Sequence, residues 1–360
     1  MRAAAIVDAR TPVDPGSAAV PDATGIGSVR RAHRRRNAAV VATAVVVVAA
    51  IALAALSFGA AGVTPDRVLA VLLGGGERIE RFVVFDLRLP RILAALLVGA
   101  AFALAGAVFQ STLRNPLASP DILGISAGAS LGAVWAILGL GASGVLVAGF
   151  AFGGGLAVAL VIWLAAWRQG LHGVRFVLVG VGMAYLCGST VTWLLARAEV
   201  RQAQTALHWT VGSVADVRGE PLVALAGGLA ACALALAVLT RALRPLALGD
   251  DHARALGVRA DAARMGLLVI AVALVALATS VAGPIAFVAL IAPAVARRLV
   301  GGGVAAVTAA AVLGAALTLG ADVIGQFAFP GFTAPLGIVT GIIGAPYLLW
   351  LLARTERTRA

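Results

Sequence analysis

The chain has 360 residues, 61% of them hydrophobic and only 12% charged, with a formal net charge of +12. That charged share is about half that of an ordinary soluble domain, and one soluble core could not hide so much apolar surface, so a water-soluble globule is excluded. All 28 basic residues are arginines; without lysine the chain can carry neither a Walker-type P-loop nor a Schiff-base lysine.

Residues 1–37 mix Pro, Gly, Ala and Arg without apolar periodicity and read as a disordered cytoplasmic tail. The first apolar block starts too late and runs too long for a cleaved signal peptide. From 38 to 58 it offers 21 residues without a charge, enough for a helix to cross a hydrocarbon core of ~30 Å. Further spans are expected at 92–110, 122–140, 145–167, 176–196, 222–240, 265–282, 284–300, 304–321 and 336–353. One broken helix could replace the pair flanking Gly283-Pro284. The fold expected is an all-α, polytopic transmembrane helical bundle over 38–353, with ten spans and a short cytoplasmic tail at 354–360.

Arginine placement sets the orientation. With both termini inside, 20 of the 28 arginines fall on inner segments, as the positive-inside rule requires. The same placement, between apolar blocks, accounts for the basic excess without nucleic acid. Cys187 and Cys232 stand alone in apolar blocks and read as small fillers. Neither a metal centre nor a cofactor is expected.

The acids and histidines fall in loops, tails or span ends, Asp121 and Asp322 coming nearest the interior. An ion-coupled carrier needs such groups at mid-membrane, so uphill transport would draw its energy from another subunit. Glycines spaced by four, at Gly124/Gly128/Gly132, Gly149/Gly153 and Gly337/Gly341, point to closely approaching helices.

Three connecting segments are richer than connectors need to be. Outside, Leu87-Arg88-Leu89-Pro90-Arg91 runs against the positive-inside trend. Its arginines suit carboxylates of an external partner or snorkelling to headgroups. Inside, Arg114 to Asp121 holds two prolines that enforce a rigid turn, with Asp121 suited to the first turn of the third span. Also inside, Gly249 to Gly257 reads as a short helix with Asp250 as N-cap and Gly257 as its stop, a docking surface for a soluble partner.

At these residues the chain resembles the permease subunits of ABC importers for iron–siderophores, haem and vitamin B12. The matching stretches are LRLPR at 87–91, GAAFALAGAVFQ at 99–110 and RNPLASPDILGISAGASLGA at 114–133. LGDDHARALGV at 248–258, GPIAFVALIAP at 283–293 and PLGIVTGIIGAPYLLWLL at 335–352 complete them. The resemblance implies a ten-span, non-catalytic pore subunit of the cytoplasmic membrane, like the vitamin B12 permease. Its partners would be ABC ATPase subunits, a second copy of the chain or a homologous permease, and an extracytoplasmic substrate-binding protein. Arg88 and Arg91 would meet the binding protein. Asn115 and Leu117 would form a cytoplasmic gate with His172, Gly173 and Val174. Gly249, Asp250, Asp251, Ala253, Arg254, Leu256 and Gly257 would couple to the ATPase. Ala294, Thr333-Ala334 and Gln326 depart from the pattern, the last standing where the vitamin B12 permease has a third outward arginine. The Gln326–Gly331 and Ala345-Pro346-Tyr347 stretches are similar to one of two unlike permeases in enterobactin-type importers, which implies a heterodimer and a ferric siderophore. Haem or vitamin B12 import and ion-coupled transport are the alternatives.

Overall fold

The structure, a computed structural model, describes residues 23–58, 63–121, 123–166, 173–242, 245–246, 250–301, 304–329 and 331–357. Among these the regular structure is helical throughout. Seven helices are long and apolar enough to cross a membrane, and two shorter apolar ones accompany them.

Helix α1, Ala23–Ser57, begins fifteen residues inside the range expected as tail. Arg and Ala are good helix formers, and residues 30–36 carry the helix on below the apolar block. Residues 1–22 lie outside the described residues. Two short helices, α2 (Pro65–Leu72) and α3 (Arg78–Arg81), form an outer cap. A wide π turn at Phe82–Arg88 leads from α3 into α4, Leu89–Thr112.

Helix α4 is the centre of the bundle: 16 of its 24 residues are buried. Around it pack α11 (Ala260–Ala282), α12 (Val288–Val300) and α13 (Val304–Phe327). These contacts are backbone-close. A Cβ on Gly99 would strike the Gly314 carbonyl and the Thr318 hydroxyl, and one on Gly106 would overlap the Ala289 carbonyl. Since hydrocarbon solvates Leu as well as another helix does, close approach of small residues supplies the attraction. A second layer holds α5 (Ile125–Leu140), α6 (Val145–Ala166), α7 (Gly173–Arg197), α8 (Val200–Val211) and α9 (Glu220–Leu239). A short helix α10, Asp250–Ala255, precedes α11, and α14, Leu336–Arg357, closes the chain. It runs past the boundary expected at 353.

Of the expected glycine stripes, Gly128 and Gly132 do meet α6, against Gly154 and Phe150. Gly149, Gly153 and Gly341 instead face open space, whereas Gly337 lies against the Val211 carbonyl. The region around Gly283-Pro284 holds two helices separated by residues 283–287, and α12 has only 13 residues. At 1.5 Å per residue that is about 20 Å, short of a full crossing. The ten expected spans each find a helix, but a count of ten full crossings is only approximate.

Candidate functional site

Outward arginines run against the positive-inside trend, and the structure shows what four of them gain. Arg67 pairs with Glu80 at 2.6 Å, and Arg81 donates to the Gly74 and Gly75 carbonyls, so both staple α2 to α3. Glu77 and Glu80 form a capping box, the Glu77 N–H donating to Glu80 Oε2 at 2.9 Å. Arg88 donates to the Leu56 carbonyl near the open end of α1. Arg91 makes a bidentate pair with Asp322 of α13, Nε to Oδ2 at 2.9 Å and Nη2 to Oδ1 at 2.8 Å. Gln326 donates to the same carboxylate at 2.7 Å. Asp322 is 2% exposed and Arg91 22%. These two arginines are therefore engaged within the chain, not held wholly outward as expected.

The inner turn after α4 is built as its prolines demand. Arg114 takes a positive φ of 50° and donates to the Leu246 carbonyl at 2.6 Å. The Asn115 side chain accepts the Leu117 N–H at 2.9 Å, an Asx turn. Asn115 is exposed and Leu117 half-buried. The third span starts at Ile125, three residues later than expected, because Gly124 sits at φ 79° before it. Asp121 thus precedes the helix rather than joining its first turn. It accepts from the Ser126 hydroxyl at 2.8 Å. Gly124 and Leu123 rest on Gly180 and Ala184 of α7. Gly180 stands six residues, about 9 Å, beyond Val174 along α7, so this contact lies above the base of the helix. Gly173 and Val174 open α7; His172 lies outside the described residues.

Asp121 and Ser126 reach a cavity of about 320 Å³ whose other walls include Thr210, Pro284, Ile285 and Ile338. Thr210 belongs to α8, expected as part of an outer connector, while Asp121 belongs to an inner one. The two share this cavity because the end of α8 packs into the bundle. Backbone bonds hold its end there: Ser213 N–H donates to the Ala282 carbonyl at 2.7 Å and Gly337 N–H to the Gly212 carbonyl at 3.2 Å. Phe287, held at φ 67°, packs its ring over Gly344 beside this joint.

The short inner helix α10 ends in a full Schellman motif. Val258 N–H donates to the Ala253 carbonyl and Gly257 N–H to the Arg254 carbonyl, both at 2.9 Å, with Gly257 at φ 80°. Ala253 is fully buried, while Leu256 is 63% exposed. Arg254 lies 3.6 Å from Asp261 of α11, joining the short helix to a long one. Asp250 and Asp251 open the helix, Asp250 as its first residue rather than its N-cap; Gly249 lies outside the described residues.

Residues 45–354 match the FecCD transport family. The chain belongs to that family. It is 40% identical over 304 residues to the ferric enterobactin transport system permease protein FepG of Escherichia coli K12, covering 84% of this chain and 92% of the relative. To the Fe(3+)-citrate import system permease protein YfmE of Bacillus subtilis 168 it is 36% identical, covering 84% and 91%. An ABC transporter solved in an inward-facing conformation superimposes with a TM-score of 0.78 at 27% identity, over 87% of this chain and 98% of that one.

As a FecCD member, this chain is a multi-pass membrane transport subunit. Sequence reasoning missed three of its features. Asp322 as the partner of Arg91 lies 231 positions away, beyond any local pattern. Gln110, buried in α4, donates to the Leu290 carbonyl of α12 at 3.2 Å; its signal was a lone amide in an apolar run. The inward dip of α8 was foreshadowed only by the apolar Ala206-Leu207 and Trp209 inside a polar stretch.

Proposed function

We propose that this chain is one of two permease subunits of an ATP-driven importer that carries a ferric siderophore across the cytoplasmic membrane. What carries the substrate reading is the identity to permeases named for ferric enterobactin and ferric citrate, extending along most of the chain. One ATPase subunit docks at α10, where Leu256 offers an exposed apolar contact, and a second docks on the partner permease. ATP hydrolysis belongs to those subunits. ATP binds one state of the complex better than the other, and that difference drives the switch of access.

The second permease, a homologue rather than a copy, covers the exposed faces of α7 and α14, where Tyr185, Trp193 and Ile342 stand out of the bundle. The binding protein seats on the outer cap. Arg91 Nη1, outside the bidentate pair with Asp322, is the edge that its carboxylates would meet, next to Arg88. Substrate passes the cavity at Asp121 and Thr210 and leaves past Asn115, Leu117 and the 172–174 turn.

The test is uptake into proteoliposomes holding the chain with its partner permease, ATPase and binding protein. Ferric catecholate uptake should need ATP and every component. Uptake by this polypeptide alone, or uptake that follows a proton gradient after ATP removal, would overturn the reading in favour of an ion-coupled carrier.

A further inference from the structure

Helix α12 carries a buried proline in its interior, Pro293. Proline has no N–H, so the carbonyl four residues earlier, that of Ala289, loses its usual helical donor, and the ring pushes that carbonyl outward. Ala289 is fully buried, so water cannot serve it. A buried backbone carbonyl without a donor is costly, and native chains rarely leave one.

Helix α4 meets this defect with two residues. Gly106 and Gln110 stand four apart, on one face of α4. A Cβ on Gly106 would lie 1.8 Å from the Ala289 oxygen, so glycine makes room for the displaced carbonyl. Gln110, 4% exposed, brings its Nε2 to 3.5 Å from the Ala289 oxygen and 3.2 Å from that of Leu290. A side-chain amide has a proton for each. Its own Oε1 finds no partner among the described residues. An apolar residue would avoid the cost of that buried oxygen, so what this position needs is the donor.

The helix so repaired links the cavity to the cytoplasmic side. Before its first turn, Pro284 and Ile285 line the cavity at Asp121, and Phe287 packs over Gly344 of α14. At its inner end the Arg298 guanidinium stacks on Trp350 of α14, 4.6 Å from the ring centre. Both ends are thus fastened to α14, whose Gly337 and Ile338 also line the cavity, while the middle is held to α4. A change of the cavity that shifts α14 against α4 must be taken up within α12. Pro293 is where the helix can bend with one backbone bond fewer to break.

We propose that Gln110 is a positioning residue for transport: its amide replaces the N–H that Pro293 lacks, and the two residues make a joint in α12 that flexes as the cavity opens and closes. The lock between Gln110 and α12 stands on these contacts alone; the flexing rests on the transport reading.

Four chains test this: the parent, Gln110→Met, Pro293→Ala and the double variant. In thermal unfolding of the purified chain in mild detergent, Gln110→Met should lower the melting temperature by about 2–5 °C. With Pro293→Ala, residue 293 regains its N–H, and the same change at 110 should then cost under about 1 °C. Equal losses in the two backgrounds would overturn the lock. If Gln110→Met alone does not accumulate, the double variant should; its loss as well would overturn the lock. In proteoliposomes holding the partner permease, ATPase and binding protein, Pro293→Ala should slow maximal ATP-driven uptake about five- to tenfold, because the restored backbone bond must break in each cycle. The substrate concentration for half-maximal uptake should not move. A proline that serves structure only would leave the rate unchanged, and that result would overturn the joint. If the parent complex itself takes up nothing, the transport reading fails, while the melting cycle still decides the lock.

Discussion

Removing the Asp322 carboxylate should leave Arg91 as a charge held mostly away from water with no counterion. The pair is bidentate, at 2.8 and 2.9 Å, so its charge centres lie about 4 Å apart. At that separation an effective dielectric of ~20 gives a Coulomb term of about 4 kcal/mol, in line with the ~3–5 kcal/mol lost when one partner of a buried pair is deleted. Asp322→Leu should therefore destabilise the chain by ~3–5 kcal/mol. Adding Arg91→Met should return most of that loss, because a fully apolar replacement removes the unmet charge as well. The measurement is a double-mutant cycle on chemical unfolding of the purified chain in mild detergent, with proteolysis of the 56–91 region as a second probe. A coupling of at least ~2 kcal/mol is expected for residues in one network. Purely additive losses, or a single variant costing under ~0.5 kcal/mol, would refute the claim that this pair closes the outer end of α4 and α13.

Other outcomes follow from particular contacts. Leu256→Asp places a charge on the exposed face of α10 and should abolish co-purification of the ATPase with the chain, while leaving chain yield unchanged. Gly257→Ala must hold φ at 80° with a Cβ, costing about 1–2 kcal/mol locally; ATP-dependent transport should fall, with the helix content by circular dichroism otherwise intact. Gly106→Val pushes a side chain into the Ala289 carbonyl and should cost about 1–3 kcal/mol by overpacking, read as lower thermal stability in detergent. At the outer cap the Glu77 N–H and then Arg67 hold the Glu80 carboxyl below its usual range. A depressed carboxylate stabilises the fold at pH above its unfolded pKa, and that contribution is lost as pH falls through the folded value. Hydrogen-exchange protection over 65–81, corrected for the intrinsic exchange rate at each pH, should accordingly fall as the outer medium is acidified below the carboxylate range, and stay flat from neutral pH upward.

Much of the bundle was legible because a bilayer asks little of a sequence beyond apolar length. The block from 38 to 58, the turn at Asn115-Pro116, and the glycine stop at Gly257 each rest on local rules, and each has its counterpart in the structure. The α10 motif shows why: a Schellman ending uses only backbone groups within six residues of one glycine. Contacts between distant segments were not legible. Arg88 and Arg91 looked outward because their neighbours are loop residues, yet their partners are Leu56 and Asp322. Asp121 looked like a helix-capping acid, yet it faces a cavity shared with Thr210 of α8.

By itself the sequence determined the membrane-spanning class and the family, since apolar run length and motif order are properties of the chain read in line. Only the tertiary structure decided which arginines are engaged inside the protein, which glycines touch a neighbouring backbone and where an outer helix dips inward. Those outcomes depend on side chains and carbonyls brought within about 3 Å of each other across tens or hundreds of residues, a distance that no spacing along the chain encodes.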